Sequence, residues 1–144
     1  MIYNVLILPH INYCNMVWGN CHRTKLDKTL LLQKKAVRIC TSSPHLSHTN
    51  PLFHSLKILK VHDINTLHTV IFTYRYNNKL LPQVFNDFFS PNKTLHPYPT
   101  RRSTDFRLDN PRTLQAQRTF GNHGPDVSIT LPAPIKQLFS LHSI

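Results

Sequence analysis

The sequence contains no glutamate, and its six acidic residues are all aspartates spread along 144 residues. Catalysis with two metal ions needs clustered carboxylates to hold Mg²⁺, and no two of these aspartates are adjacent. Glycine is also scarce, with three residues, so the chain has no glycine-rich loop that cradles phosphates. These absences argue against a polymerase or metal-dependent nuclease site, and we predict that the chain has no catalytic residues.

Cysteine occurs three times, an odd number without paired spacing. A disulfide framework is therefore not expected, and a reducing compartment, the cytoplasm or the nucleus, fits better than secretion. Several Cys and His residues invite a zinc interpretation, but they lack the close cysteine pair of a structural zinc site. We therefore expect no metal and no other cofactor. The Cys and His residues considered for zinc are Cys14, Cys21, His22, Cys40, His45 and His48.

Long apolar runs are missing as well, because none reaches the roughly 20 residues that a membrane-spanning helix needs. The apolar start of the chain has no Lys or Arg before it and no clear cleavage site, which argues against a signal peptide. We interpret it as the end of a helix that packs on an upstream segment, as in a fragment of a longer protein. No membrane association is expected.

Positive charge is abundant, since 17 Lys and Arg residues give a formal net charge of +11. Such an excess repels itself unless an anionic partner shares the surface, and nucleic acid is the commonest partner of this kind. A membrane surface and a basic protein without any such partner are the alternatives. The oligomeric state is not indicated by the sequence.

The segment that follows Gly19 predicts a helix capped by Thr24, with Asp27 in the last position of a capping box. Its apolar face comprises Leu26, Leu30, either Ala36 or Val37, and Cys40, joined by Leu31. The cations on the remaining surface either contact phosphates or form an ordinary solvated face. Contacts of the first kind would set position and affinity without reading bases.

A second basic group lies on a loop stiffened by prolines, where an arginine pair can grip phosphate with little loss of entropy. A merely solvated loop is the alternative. The candidate nucleic-acid-binding residues are Lys25, Lys28, Lys34, Lys35, Arg38, Arg101 and Arg102.

The longest amphipathic helix is predicted after Lys60 and ends at Asn77-Asn78. Its predicted core face comprises Val61, Ile64, Leu67, Val70, Ile71 and Tyr74. The opposite, solvent-facing side is predicted to carry Asn65, Thr66, Thr69 and Thr73. This helix is the expected spine of a small helical core.

The remaining patterns predict short elements. Helices are expected from Pro9 to Trp18, from an Asn50 cap through Leu56, from Gln83 to Phe89, over 125–132 as a turn, and from Pro134 to Leu141. A loose β-hairpin is expected from Asp105–Leu108 and Thr113–Phe120. The predicted fold is therefore mainly α: a helical bundle (1–89), a Pro/Arg-rich loop (90–112) and a small C-terminal segment with the hairpin and short helices (113–144).

Short motifs follow one another in a characteristic order along nearly the whole chain. They are Tyr13–Asn20, Leu32–Ile39, His48–Phe53, Leu56–Ile64, Leu80–Pro82, His96–Arg101, Arg112-Thr113, Phe120, Gly124-Pro125 and Leu131-Pro132. In this order they resemble the C-terminal region of the reverse transcriptase of non-LTR retrotransposons (LINE-type, jockey/CR1-like). That region comprises the thumb and the segment beyond it. The family's Trp-Asn between the Gly-Pro and Leu-Pro motifs is absent here, where 126–130 reads DVSIT.

The resemblance implies a thumb-like bundle that holds a primer–template duplex by its phosphates. The catalytic aspartates of that family lie in the palm, upstream of the matching motifs, so the resemblance implies a truncated, non-catalytic piece of an RNA-directed DNA polymerase. The palm of the parent protein would be its missing partner. The alternative is a structural or interaction module, or a partly folded pseudogene product, without a nucleic-acid role.

Overall fold

The structure is a computed structural model that describes residues 2–92, 98, 105–132 and 135. The fold is mainly α-helical, which confirms the predicted class. The α-helices are α1 (Ile2–Leu6), α2 (Leu8–Asn12), α3 (Asn15–Trp18), α4 (Arg23–Cys40), α5 (Asn50–Ser55), α6 (Val61–Asn77), α7 (Leu114–Gln117) and α8 (Phe120–Thr130). A single 3₁₀ turn covers Gln83–Phe85, where a helix to Phe89 was predicted.

The chain divides into two compact units, Met1–Leu67 and His68–Ile144, with the division inside α6. The boundaries predicted after residues 89 and 112 differ from this division and stay a prediction.

The core of the first unit is built on one stripe of α4. Leu26 and Val37 are buried there, and Leu30 and Cys40 pack against the same core, as their spacing predicted. The other buried members are Tyr3, Ile11, Phe53, Val61 and Ile64. Leu31, which was predicted on this face, is 57% exposed, because it lies about 100° round the helix from Leu30 and so leaves the buried stripe.

A buried amide joins three parts of this unit. Gln33 on α4 is 2% exposed, and its Nε2 donates to the Tyr3 hydroxyl at 2.7 Å and to the Leu59 carbonyl at 2.8 Å. Its Oε1 accepts from the Val61 backbone N–H, which opens α6, at 3.0 Å. Burial raises the pKa of the Tyr3 phenol, partly offset by the Gln33 bond. Gln33 therefore ties α1 and the start of α6 to α4.

The helix predicted from Pro9 to Trp18 is broken into α2 and α3. Cys14 between them adopts a left-handed backbone conformation with φ 47°, and Trp18 Nε1 donates to the Tyr13 carbonyl at 2.7 Å.

The start of α4 also differs from the prediction. His22 rather than Thr24 is the N-cap, because the His22 imidazole Nδ1 accepts from the Thr24 N–H at 3.3 Å.

The predicted core face of α6 is wrong at Leu67 and Ile71, and its predicted solvent-facing side is wrong at Asn65, Thr69 and Thr73. Leu67 and Ile71 are 43% and 40% exposed, whereas Thr69 and Thr73 are 0% and 1% exposed. Thr73 satisfies its hydroxyl by donating to the Thr69 carbonyl at 2.9 Å, which lowers the cost of burying it. Val61 and Ile64 are buried as predicted.

Aromatic rings determine which face of α6 is covered in the second unit. Phe72 contacts the rings of Phe85, Phe88, Phe89 and Phe120, with centroids 4.9–6.3 Å apart in edge-to-face geometry. Each ring buries more area than a leucine, so these contacts outweigh the aliphatic stripe on the other side of α6. The rings of Tyr76 and Phe106 extend this aromatic cluster.

The predicted hairpin is wrong. Thr113–Phe120 forms α7 and the start of α8, because Thr113 Oγ1 caps the first turn by accepting from the Ala116 N–H at 3.3 Å. Residue Phe106 instead makes an isolated antiparallel bridge with Pro91. Helix α8 starts at Phe120 rather than near Pro125, which lies inside it. The predicted helix from Pro134 to Leu141 lies almost wholly outside the described residues.

The two glycines of α8 stand in different surroundings and predict opposite effects of alanine. A Cβ at Gly124 would come within 2.7 Å of Cζ of the buried Phe89 ring, whereas a Cβ at Gly121 would meet nothing within 4 Å. We expect Gly124→Ala to lower the free energy of unfolding by about 1–2 kcal/mol, because the packed ring must shift. Gly121→Ala should raise it by about 0.5–1 kcal/mol through helix propensity. Urea unfolding followed by far-UV circular dichroism measures both, and equal effects would contradict the packing described here.

Candidate nucleic-acid interface

Five of the seven predicted nucleic-acid-binding residues lie together on α4. Lys25, Lys28 and Lys35 are exposed, and Lys34 and Arg38 are half-buried. Lys28 and Lys35 are seven residues apart, so they lie two turns apart on the same side of the helix. That side is opposite the buried stripe. The exposed lysines span about 15 Å, a length of duplex that carries roughly nine phosphates.

The charge of α4 is almost entirely positive. The helix contains six Lys and Arg residues and a single acid, Asp27, so its formal charge is +5. Asp27 Oδ1 lies 3.3 Å from Nε2 of His62. Because Asp27 is the only carboxylate on α4, little on the helix itself neutralises the cations.

The first turn of α4 adds a cation that the sequence prediction missed. Arg23 is the first residue of the helix, and it is exposed, as is Lys25 two residues later. Cations at a helix N-terminus oppose the helix dipole, at a cost of about 0.3–1 kcal/mol each at low salt. An anion bound near this turn would remove that cost. The sequence prediction left Arg23 outside the helix, because it placed the cap at Thr24 rather than at His22.

Arg38 has a partly structural role. Its Nε donates to the Ser47 carbonyl at 3.1 Å, which fastens the loop between α4 and α5 to the helix. It also lines a groove of about 480 Å³ at the C-terminal end of α4, together with Lys35, Ile39, Ser42, Ser43 and His45. Because the loop bond uses one of five guanidinium N–H groups, Arg38 keeps donors for an anion in this groove.

The predicted arginine pair, Arg101 and Arg102, lies outside the described residues. Of the basic residues that follow it, Arg107 pairs with Asp109 through Nε and Oδ1 at 2.9 Å. Arg112 is exposed. The structure therefore places the exposed lysines Lys25, Lys28 and Lys35 on one side of α4 and leaves the loop pair as a prediction.

Three apolar side chains share the cationic face of α4, and sequence reasoning missed this feature. Leu31, Leu32 and Ile39 are 57%, 65% and 78% exposed. They lie within the same arc of the helix as Lys28 and Lys35. Helix α4 thus has apolar residues on two opposite sides, of which one forms the core and the other faces solvent.

The groups considered for metal chemistry are dispersed. Within the described part of the chain, no three His, Cys, Asp or Glu side chains lie close enough together to hold a metal ion. Cys14 and Cys21 are exposed free thiols, and Cys40 is a half-buried one. Over the same part of the chain, no helix combines the length and the apolar character needed to cross a membrane.

The comparisons with known proteins add no relative. No protein-family model, no curated protein and no solved structure matches this chain. Function is therefore inferred from the geometry of α4 and from the order of the motifs.

Proposed function

We propose that this chain is a non-catalytic segment of a non-LTR retrotransposon reverse transcriptase, and that it binds the backbone of a nucleic-acid duplex without sequence specificity. The ordered motifs from Tyr13 to Pro132 support the ancestry. The mainly helical fold is compatible with a thumb-like bundle. An intracellular location, in the cytoplasm or the nucleus, belongs to the same proposal.

The observation that carries the binding proposal is the exposed row of Lys25, Lys28 and Lys35 on a helix of charge +5. A lysine ammonium is a compact point charge on a flexible stem, so it suits phosphate oxygens better than the edges of bases. Such contacts release condensed counterions and give affinity that falls steeply with salt. The expected ligand is therefore a duplex recognised by its charge, with little preference for its sequence.

Raising the salt concentration tests this proposal. With three phosphate contacts, we expect affinity for a fluorescein-labelled RNA–DNA duplex to fall roughly 40-fold between 50 and 200 mM salt. The triple variant Lys25→Gln/Lys28→Gln/Lys35→Gln should bind much more weakly and lose most of this salt dependence. Fluorescence anisotropy measures both quantities, and two duplexes of unrelated sequence should bind with similar affinity.

A variant of equal charge provides the control. Lys57→Gln/Lys60→Gln/Lys79→Gln also lowers the formal net charge from +11 to +8, but its three lysines lie outside α4. It should keep most of the affinity if the α4 row makes the contacts. The proposal is wrong if duplex affinity does not change with salt. If both triple variants weaken binding equally, only diffuse charge is at work and α4 is not the interface.

A further inference from the structure

The solvent-facing side of α4 carries apolar side chains as well as lysines. Five residues form a continuous stripe with spacings of three and four: Lys28, Leu31, Leu32, Lys35 and Ile39. We call this set the α4 outer stripe. It extends over about 16 Å of helix and ends at the groove that Ile39 and Lys35 line.

A nucleic-acid backbone does not account for the apolar members of this stripe. Phosphates and sugars are polar, and bases that leave a stack pack on aromatic rings rather than on aliphatic side chains. Leu31, Leu32 and Ile39 keep more than half of their surface in water. Contiguous exposed apolar side chains rimmed by charge are typical of a surface that another polypeptide covers.

Charge decides what kind of polypeptide fits. Lys28 and Lys35 alternate with the apolar residues along the outer stripe, and Lys25 and Arg38 lie at its margins. A second copy of this chain would bring the same cations against each other, which disfavours self-association through this face. An acidic segment would pair with all four.

We propose that the α4 outer stripe binds an acidic amphipathic helix of a partner protein. The partner's apolar row packs on Leu31, Leu32 and Ile39, and its flanking carboxylates pair with Lys28 and Lys35. A carboxylate near the end of the partner helix enters the groove beside Ile39, where Ser42, Ser43 and Arg38 supply hydrogen-bond donors. The inference is independent of duplex binding, although the two ligands share lysines and therefore compete.

A designed peptide tests the inference with the full chain. The probe is a fluorescein-labelled helical peptide of about 18 residues, with leucines on one face and glutamates flanking them. One control peptide has lysine in place of every glutamate. A second control has the same composition with the leucines distributed around the helix. We expect only the first peptide to bind at micromolar concentration in a fluorescence anisotropy titration.

Two matched variants locate the binding surface. Leu31→Gln/Leu32→Gln/Ile39→Gln should weaken peptide binding roughly 100-fold, because it removes the apolar contacts but keeps every lysine. Its duplex affinity should stay within about threefold of the unaltered chain. The control variant Val5→Gln/Val17→Gln/Leu46→Gln replaces three exposed apolar residues outside α4 and should bind the peptide normally. Circular dichroism checks that both variants keep their helices.

The possible outcomes separate this inference from the proposed function. Unchanged peptide affinity in the α4 variant overturns the inference, as does equal binding of the peptide with scattered leucines. Binding to phosphatidylserine vesicles without binding to the peptide assigns the stripe to a membrane surface and also overturns it. A dimer in light scattering that the α4 variant abolishes assigns the stripe to a second copy instead. Peptide binding without duplex binding supports the inference and removes the proposed function.

Discussion

Replacing Gln33 by methionine is expected to lower the free energy of unfolding of the first unit by about 3–4 kcal/mol. Methionine has a similar volume but leaves three groups without a partner: the Tyr3 hydroxyl, the Leu59 carbonyl and the Val61 N–H. Each buried polar group that loses its hydrogen bond costs about 1–3 kcal/mol. Urea unfolding followed by the fluorescence of Trp18, the single tryptophan and a residue of this unit, measures the loss.

Lys28→Met is the matched control, because it places the same side chain on the exposed side of the same helix. It should change stability by no more than about 0.5 kcal/mol. Tyr3→Phe removes one acceptor of the Gln33 amide and should cost about 1 kcal/mol. In the double variant Tyr3→Phe/Gln33→Met, the two losses should be less than additive, because both variants break the same bond. If Gln33→Met costs no more than Lys28→Met, Gln33 does not join the parts of this unit.

Gly19→Ala is the second change with a large expected effect, about 3 kcal/mol of lost stability. The backbone at Gly19 is helical, with φ −67°, so alanine is conformationally allowed there. The obstacle is space. A Cβ would come within 2.5 Å of the Asn15 carbonyl oxygen, to which the Gly19 N–H donates, and within 2.7 Å of Asn65 Cγ. A backbone atom cannot move aside as a flexible side chain can, so overpacking is severe.

The loss of stability in Gly19→Ala has a backbone part and a side-chain part, and the same Trp18 fluorescence measurement can separate them. The double variant Gly19→Ala/Asn65→Ala relieves the clash with the amide but not the clash with the Asn15 carbonyl. It should therefore remain less stable than Asn65→Ala alone. A Gly19→Ala chain as stable as the unaltered one would show that the turn after α3 is looser than the structure has it.

The sequence reveals some residues of the buried core and conceals others. On α4 the spacing of Leu26, Leu30, Val37 and Cys40 predicted the buried stripe. Gln33 completes that stripe between Leu30 and Val37, yet its polarity concealed it, because hydrophobic periodicity counts a glutamine as a gap. A long-range hydrogen bond, such as the one across 28 residues to the Val61 N–H, has no local signal.

On α6 the prediction failed in the other direction, because apolar residues assigned to the core are exposed. The extent of this helix was predicted closely, but Leu67 and Ile71 were assigned to the core and are half-exposed. The rings of Phe72 and Tyr76 lie on another side of the helix and find partners far along the chain, Phe120 and Phe106. A helical wheel weighs residues one at a time, so it does not register such partners.

The candidate interface was predictable in its charge and not in its chemistry. The sequence predicted Lys28, Lys34, Lys35 and Arg38 on the surface outside the apolar stripe; Lys28 and Lys35 are exposed there, and Lys34 and Arg38 are half-buried. Exposure of Leu32 and Ile39 did not follow, because an aliphatic residue in a helix is expected to be buried until the packing of its neighbours is known.

By itself, the amino-acid sequence determined the class of fold, the extents of the two long helices and the cationic character of α4. These follow from local periodicity, capping and the number of charges, which need no knowledge of distant residues. Only the tertiary structure decided which face of α6 is covered, that Gln33 belongs to the core, and that leucines lie among the exposed lysines. Those outcomes depend on which helix faces fill the limited buried volume, and side chains remote in sequence determine which faces do so.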